Sequence, residues 1–263
     1  MVFTTDGRVH QGGIRNEKDV VAFVNTASTI LKPVLMPAGT TFEHRGGTHT
    51  KADAETMNAD GTVSEGTSIK NHKTGTFDWM NTTSELPQSL KDSLGVRLKA
   101  IKQSYSVHKK LPIARKEVND LFSEELASKF NSNFLKNLLS GVYKKYPKHV
   151  VINNKEKKQL VYFNSRENMK EVATYSDFTY SLKRSPRAKT SASIWRTNPH
   201  TGEEVNTHLR IRLVLNNGVT ALLGISKANN TSSPCLKIQQ DNVAKFLSSL
   251  VNPVKESYSA PAT

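Results

Sequence analysis

The sequence predicts an α/β protein. Three observations carry that expectation: a capped amphipathic helix close to the start, two short strands folding back on an Asp-Gly turn, and a change to β texture from about Lys148 onward. The helix follows Gly12 and Gly13. Asn16 suits its N-cap, Glu17 and Asp19 suit its first turn, and Val20, Val21, Phe23 and Val24 form its apolar side. Residues 29–36 read either as a helix end or as a strand.

Next comes the hairpin. Asp60-Gly61 favours a two-residue type I′ loop, which sets Asp53 opposite Ser68. Opposed side chains sit about 5 Å apart and diagonal ones about 7–8 Å, so Asp53 reaches Lys70, which shares the Ser68 face by the two-residue strand period. An arbitrary Asp and Lys across a hairpin make an ordinary exposed salt bridge. Here the context is unusual, because Gly46 and Gly47 permit a close backbone approach just before the strand. Lys51, Lys70 and Lys73 also gather on or near one ladder, where like charges repel unless an anion sits among them.

Residues 76–81 follow as a third strand and residues 86–103 as a helix, with Glu85 at its start, where a carboxylate is favourable even without a ligand. Between residues 114 and 146, Val118, Leu121, Leu126, Phe130, Phe134, Leu135 and Leu138 recur at helical spacing, which predicts one long helix or two broken ones packed on the core. The β-rich part then opens with strands at 149–154 and 159–163 around a lysine-rich turn, and a strand at 177–182. A hairpin is expected from 208–215 to 219–224 across Asn216-Asn217-Gly218. Arg210 and Arg212 alternate with Leu209, Ile211 and Leu213, so both arginines leave one face, which suits phosphates. Lys183, Arg184, Arg187, Lys189 and Arg196 lie in a basic, hydroxyl-rich stretch that is either a solvated loop or a DNA contact. Trp195 is assigned to the core. Residues 236–250 suggest a strand and a short amphipathic helix. The expected division is residues 1–147 as one core with flanking helices, 148–254 as a β-rich binding region, and 255–263 as a loose tail.

Composition points to a partner. Across 263 residues, 37 Lys and Arg face 23 Asp and Glu, a net charge of +14, which attracts polyanions and makes nucleic acid the natural ligand. The single Cys235 excludes a disulfide framework within the chain and lacks the setting of a nucleophile, so it reads as a small semi-buried residue. No apolar run reaches about 18 residues. A cytoplasmic, reducing location without a membrane anchor is therefore expected. The eight histidines, His44, His49 and His72 among them, form no grouped zinc signature, and neither a P-loop nor a dinucleotide fingerprint occurs.

The strand Lys51-Ala52-Asp53, its turn, and the returning Ser68-Ile69-Lys70 resemble the PD-(D/E)XK nuclease superfamily, and the Gly46-Gly47 approach is similar to that of some type II restriction endonucleases. The resemblance covers roughly residues 13–90. It implies a restriction-endonuclease-like core, a mixed central sheet flanked by helices, and a magnesium-dependent deoxyribonuclease in which Mn2+ substitutes for Mg2+. Three departures stand out: no proline precedes Asp53, Ser68 replaces the usual Glu, and the lost carboxylate has no assured replacement. A subset of the family carries this serine and takes its acid from the following helix, where Glu85 falls. Members often open with a helix whose early Glu points at the metal, the position of Glu17 here, although that residue also simply complements the helix dipole.

Cutting a phosphodiester requires placing a water, neutralising charge on the phosphate oxygens and assisting the leaving oxygen. Magnesium takes oxygen ligands, so Asp53, a second acid and, by the resemblance, the Ile69 carbonyl make its shell. The second acid is sought among Glu85, Glu55, Glu17 and Asp78, in that order. Lys70 stabilises developing charge or positions the nucleophile, and Ser68 can only hydrogen-bond a bound water. The resulting expectation is a Mg2+-dependent DNA endonuclease, of restriction, homing or phage-encoded type, with a homodimer as the symmetric way to cut both strands. The alternative is a non-catalytic DNA-binding protein on a degenerate nuclease fold. An RNA binder with stacking aromatics fares worse, because aromatic content is 7% and no basic strand carries an aromatic pair.

Overall fold

The computed structural model describes residues 9–45, 52–72, 76–82, 86–169, 177–185, 188–225 and 231–258. Along the chain, helix α1 (Val9–Thr26) and the short α2 (Lys32–Leu35) precede strands β1 (Thr40–His44), β2 (Ala54–Asn58), β3 (Val63–His72) and β4 (Phe77–Thr82). Helices α3 (Gln88–His108), α4 (Leu111–Lys129) and α5 (Ser132–Lys145) follow, then β5 (His149–Asn154), β6 (Gln159–Asn164) and α6 (Ser165–Asn168). The rest comprises β7 (Thr179–Lys183), β8 (Ser191–Thr197), β9 (Glu204–Leu215), α7 (Gly218–Leu222), β10 (Pro234–Gln240), α8 (Val243–Ser248) and β11 (Val254–Ser257).

The α/β expectation holds, but the sequential division does not. Residues 1–77, 142–170 and 242–263 form one unit, and 78–141 with 171–241 form the other. Strand pairing explains the interleaving. In the first unit a mixed sheet runs in the order β1-β2-β3-β5-β6-β11, with β3 and β5 parallel and the other neighbours antiparallel. Strands β5 and β6, expected in a separate C-terminal region, thus complete the sheet that β1 to β3 begin. The stretch read as a loose tail supplies the edge strand β11, and Tyr258 just beyond it donates its hydroxyl to Asn153 at 2.6 Å.

Helix α1 covers this sheet with Val20, Val21 and Val24, packed on Leu31, Leu35, Phe42, Ala54, Ile69, Val151 and Leu160. Full burial of each large aliphatic side chain contributes roughly 1.5–3 kcal/mol. The helix begins earlier than expected, so Asn16 is no N-cap. It lies inside α1, buried, and its side-chain oxygen accepts from Asn153 at 2.7 Å. A buried amide on a helix needs such a partner.

The β2–β3 hairpin also departs from expectation. Gly61 has φ +81°, its N–H donates to the Asn58 carbonyl, and the Asn58 N–H donates to the Thr62 carbonyl. This is a three-residue loop with glycine at the left-handed position. Met57 therefore opposes Val63. A bulge then absorbs one residue, after which Thr56 opposes Glu65 and Ala54 opposes Thr67, the register the two-residue loop predicts.

In the second unit the sheet runs β4-β10-β9-β8-β7. Helix α4 packs on β8 and β9. Along β9, Leu209, Ile211 and Leu213 are buried and Arg210 and Arg212 half-exposed, as the alternation predicts. The hairpin expected across Gly218 is absent: Gly218, at φ +77°, opens helix α7, and β9 pairs instead with β10. The Asn216 side chain accepts from the N–H groups of Asn217 and Ser233 and so closes the longer connection. Cys235 is buried in β10.

Candidate active site

The first unit brings Asp53, Ser68 and Lys70 together. Asp53 sits one residue before β2, where that strand parts from β3, and its N–H still donates to the Thr67 carbonyl at 2.9 Å. Its carboxylate takes over the ladder from there. Oδ2 accepts the Ile69 N–H at 2.7 Å and the Ser68 hydroxyl at 3.0 Å, and the Lys70 ammonium stands 3.8 Å away. Among the described residues these contacts all fall on Oδ2, which leaves Oδ1 as the oxygen open to a further ligand. Both charged side chains keep about a fifth of their surface in solvent, Lys70 21% and Asp53 23%. Charge at this spot is thus accessible from outside, while Ser68 beneath it is fully buried.

Beneath Ser68 stands Tyr146, one residue past α5, which the sequence reading did not single out. Its hydroxyl lies 3.0 Å from Ser68 Oγ, and Lys70 Nζ lies 5.8 Å from its ring centre. The Ser68 hydrogen points to an acceptor-only carboxylate, so the phenol donates to Ser68. The chain Tyr146, Ser68, Asp53 therefore has one polarity, set by the ionised acid. Burial pushes the Tyr146 phenol above its usual value, with the nearby Lys70 charge opposing.

Of the candidate acids, Glu17 lies close enough to Asp53 and Lys70 to feel their charges. Burial raises its carboxyl above the ordinary value, a hydrogen bond from His44 opposes that, the charge of Asp53 adds to it, and Lys70 again opposes. Glu17 Oε2 and His44 Nε2 are 3.0 Å apart. The other candidates go elsewhere. Glu55 pairs with Arg45 at 3.2 Å, and Asp78 belongs to the second unit, where Lys237 and Gln239 hold it at 3.1 and 2.6 Å. Glu85, Lys51, Lys73 and Arg187 lie outside the described residues, as do Gly46, Gly47 and His49.

The donor set suits a hard cation in kind. Asp53 Oδ1 and Glu17 are oxygens, and residues in a strand send N–H and C=O to the same side, so the Ile69 carbonyl also opens toward Asp53. Magnesium asks for one or two carboxylates and retains several waters. Among the described residues no three His, Cys, Asp or Glu side chains converge as a ready cage. One firm carboxylate and a neighbouring second one match the sparse shell of magnesium better than the closed shell of zinc or calcium.

Of the basic residues expected at DNA, Lys51 and Lys73 belong to the first unit and, like Arg187, lie outside the described residues; the described ones are all in the second unit and mostly have internal partners. Lys183 pairs with Glu204 and lies 3.9 Å over the Trp195 ring, Arg184 donates to Ser123, and Lys189 pairs with Asp120 at 3.3 Å. Arg196 stacks on Phe178, and Arg210 pairs with Asp241 at 2.9 Å. Arg212 shares the Arg210 face, between Ser191 and Lys237 in the register. Trp195, expected in the core, is only partly buried. The two-residue strand period explains it: Ala192 and Ile194 take the buried face, while Trp195 shares the face of Ser193, the partner of Lys183 in the register.

No helix among the described residues is long and apolar enough to cross a membrane. No protein-family model matches the chain and no curated protein matches it.

Proposed function

We propose that the protein is a Mg2+-dependent DNA endonuclease of the PD-(D/E)XK type, most similar to restriction, homing or phage-encoded enzymes that cut at defined sites. One observation carries the reading: a partly exposed carboxylate and an ammonium 3.8 Å apart, with the acid locked by a backbone N–H and a buried hydroxyl of the neighbouring strand. Asp53 through Oδ1, the Ile69 carbonyl and Glu17 would hold the ion, and Mn2+ would substitute. A bound divalent ion supplies Lewis acidity and lowers the pKa of its water.

The residues themselves do the positioning. Asp53 cannot swing, because Ile69 and Ser68 fix one of its oxygens. Lys70 keeps its ammonium beside that acid, where it stabilises the negative charge that grows on a phosphate seated at the same place. Its ammonium also hydrogen-bonds the Tyr146 phenol, which helps hold it beside Asp53. Glu17 carries a raised carboxyl pKa, so its affinity for a cation grows as pH rises. Cutting both strands symmetrically would use two copies of the chain.

A second reading, a non-catalytic DNA binder on the same fold, is favoured by Ser68 standing where a metal-binding Glu is usual and by the Glu17–His44 pair. Incubating supercoiled DNA with Mg2+, and with EDTA as control, separates the two. The enzyme nicks or linearises DNA only with the ion, and Asp53→Asn and Lys70→Ala lose that activity while binding DNA. Intact DNA at every protein and Mg2+ concentration would leave the binder.

A further inference from the structure

The α3–α4 helical hairpin supplies what the β-sheet arginines lack. From residue 93 to 116 the chain carries Arg97, Lys99, Lys102, Lys109, Lys110, Arg115 and Lys116, and neither Asp nor Glu. The hairpin also stands out from its own unit. The buried residues of α3 are Leu90, Leu94 and Leu98, none follows in that helix, and the first buried residue of α4 is Ala114. Val96 and Val107 keep 72% and 75% of their surface exposed. A helix usually gains its stability by burying one face. Here Ile101, Ser104 and Tyr105 are only half-buried where α3 packs on α4, and Lys99, Lys102, Lys109, Lys110 and Arg115 face solvent, open to a partner.

Two of the cations are spent internally: Arg97 on Glu124 and Glu125, and Lys116 on Asp120. Lys99, Lys102, Lys109, Lys110 and Arg115 make no ion pair among the described residues. On α3, Gly95, Lys99, Lys102 and Ser106 follow one another at three- and four-residue spacing, so they line one side, and Lys109 caps its end at φ 54°. Gly95 and Ser106 keep that side low, the Ser106 hydroxyl being turned back onto the Gln103 carbonyl at 2.6 Å. From Lys99 to His108 the helix advances about 13 Å, a span along which duplex DNA presents roughly one charge every 1.7 Å.

We propose that this hairpin is the principal DNA-docking element of the protein, gripping backbone phosphates through Lys99, Lys102, Lys109, Lys110 and Arg115. The duplex fits better than a lipid surface, because the neighbouring exposed line of Val96, Ala100, Gln103 and Val107 is broken by an amide and lacks Leu, Phe and Trp. The identity of the polyanion rests on the nuclease reading. The docking itself needs no metal ion and no cleavage.

The test measures anisotropy of a labelled duplex in EDTA across a salt series. The variant K99Q/K102Q/K109Q/K110Q keeps good helix formers and should weaken binding about tenfold or more, with the slope of log K against log salt flattened by about 3–4. K109Q/K110Q should lose far more than K157Q/K158Q, an equal change of charge at an exposed turn, and circular dichroism checks that helix content is kept. A quadruple variant with the wild-type slope would overturn the proposal, as would wild-type protein that ignores the duplex but sediments with phosphatidylserine vesicles. Cleavage in Mg2+ is scored separately: hairpin-dependent binding with intact DNA removes the nuclease and keeps the docking element. Cleavage with no effect of the lysines does the reverse.

Discussion

Ser68 and Tyr146 share a buried hydrogen bond of 3.0 Å between side chains 78 positions apart in the chain. The phenol supports the hydroxyl that in turn supports Asp53. Ser68→Ala removes a donor from the carboxylate and leaves the phenol without that acceptor, so it should cost about 1–3 kcal/mol. Tyr146→Phe should cost about 1 kcal/mol. The two are in contact, and the double variant should lose less than the sum, which urea unfolding of all four proteins measures. Strict additivity would show that the bond does not couple them.

Glu17→Gln tests the second acid. Removing a partly buried charge should leave the melting temperature unchanged or higher, since burial disfavours that charge in the folded state. Cleavage should then demand about tenfold more Mg2+, a loss of roughly 1.4 kcal/mol in ion affinity. A Mg2+ titration matching that of the wild type would remove Glu17 from the ion site.

His149 sets an acid limit on stability. Burial, assisted by the charge of Lys148 and opposed by Glu65, holds its imidazole below the ordinary value of about 6.5. Between the lowered value and about 6.5 the unfolded chain binds more protons than the folded one, so stability falls as pH drops through that window and levels off below it. Melting temperatures across the range, with His149→Gln as comparison, should show a shallower acid fall for the variant. That variant also loses the 2.9 Å bond to Tyr162, so it should begin from a lower plateau.

Asn153 ties three parts of the first unit. Fully buried in β5, it donates to Asn16 of α1 and accepts from Tyr258 beyond β11. Asn153→Ala strands a buried amide oxygen and displaces a phenol, for a loss of about 2–4 kcal/mol. Tyr258→Phe should cost only about 1 kcal/mol, because Asn153 keeps its other bond. Equal losses would argue that the tyrosine anchors β11 in some other way.

Much of the candidate site was legible in the residues because the strand period and one turn relate Asp53, Ser68 and Lys70 locally. The turn itself was misread. An added loop residue and a bulge in β3 cancel, so the right register followed from the wrong loop. Tyr146 gave no local signal, since only the pairing of β5, which begins three residues later, with β3 makes it a neighbour of Ser68. Gly218 shows the converse: Asn216-Asn217-Gly218 carries every mark of a tight hairpin, but Ala221 and Leu223 are buried by a helical turn, and tertiary packing overrides the turn preference. The paired arginines and lysines of the second sheet were legible as cations, whereas their acids, such as Asp241 for Arg210, come from distant parts of the chain.

The interleaving of the two units has a consequence for synthesis. When residues 78–141 emerge from the ribosome, β3 has β2 on one side and a bare edge on the other, because its parallel neighbour spans residues 149–154. The strand that carries Ser68 and Lys70 is thus exposed to stray pairing in the nascent chain. Sheet closure with β11 waits for residues 254–257, which makes the first unit a late and slow folder relative to helices that need only their neighbours.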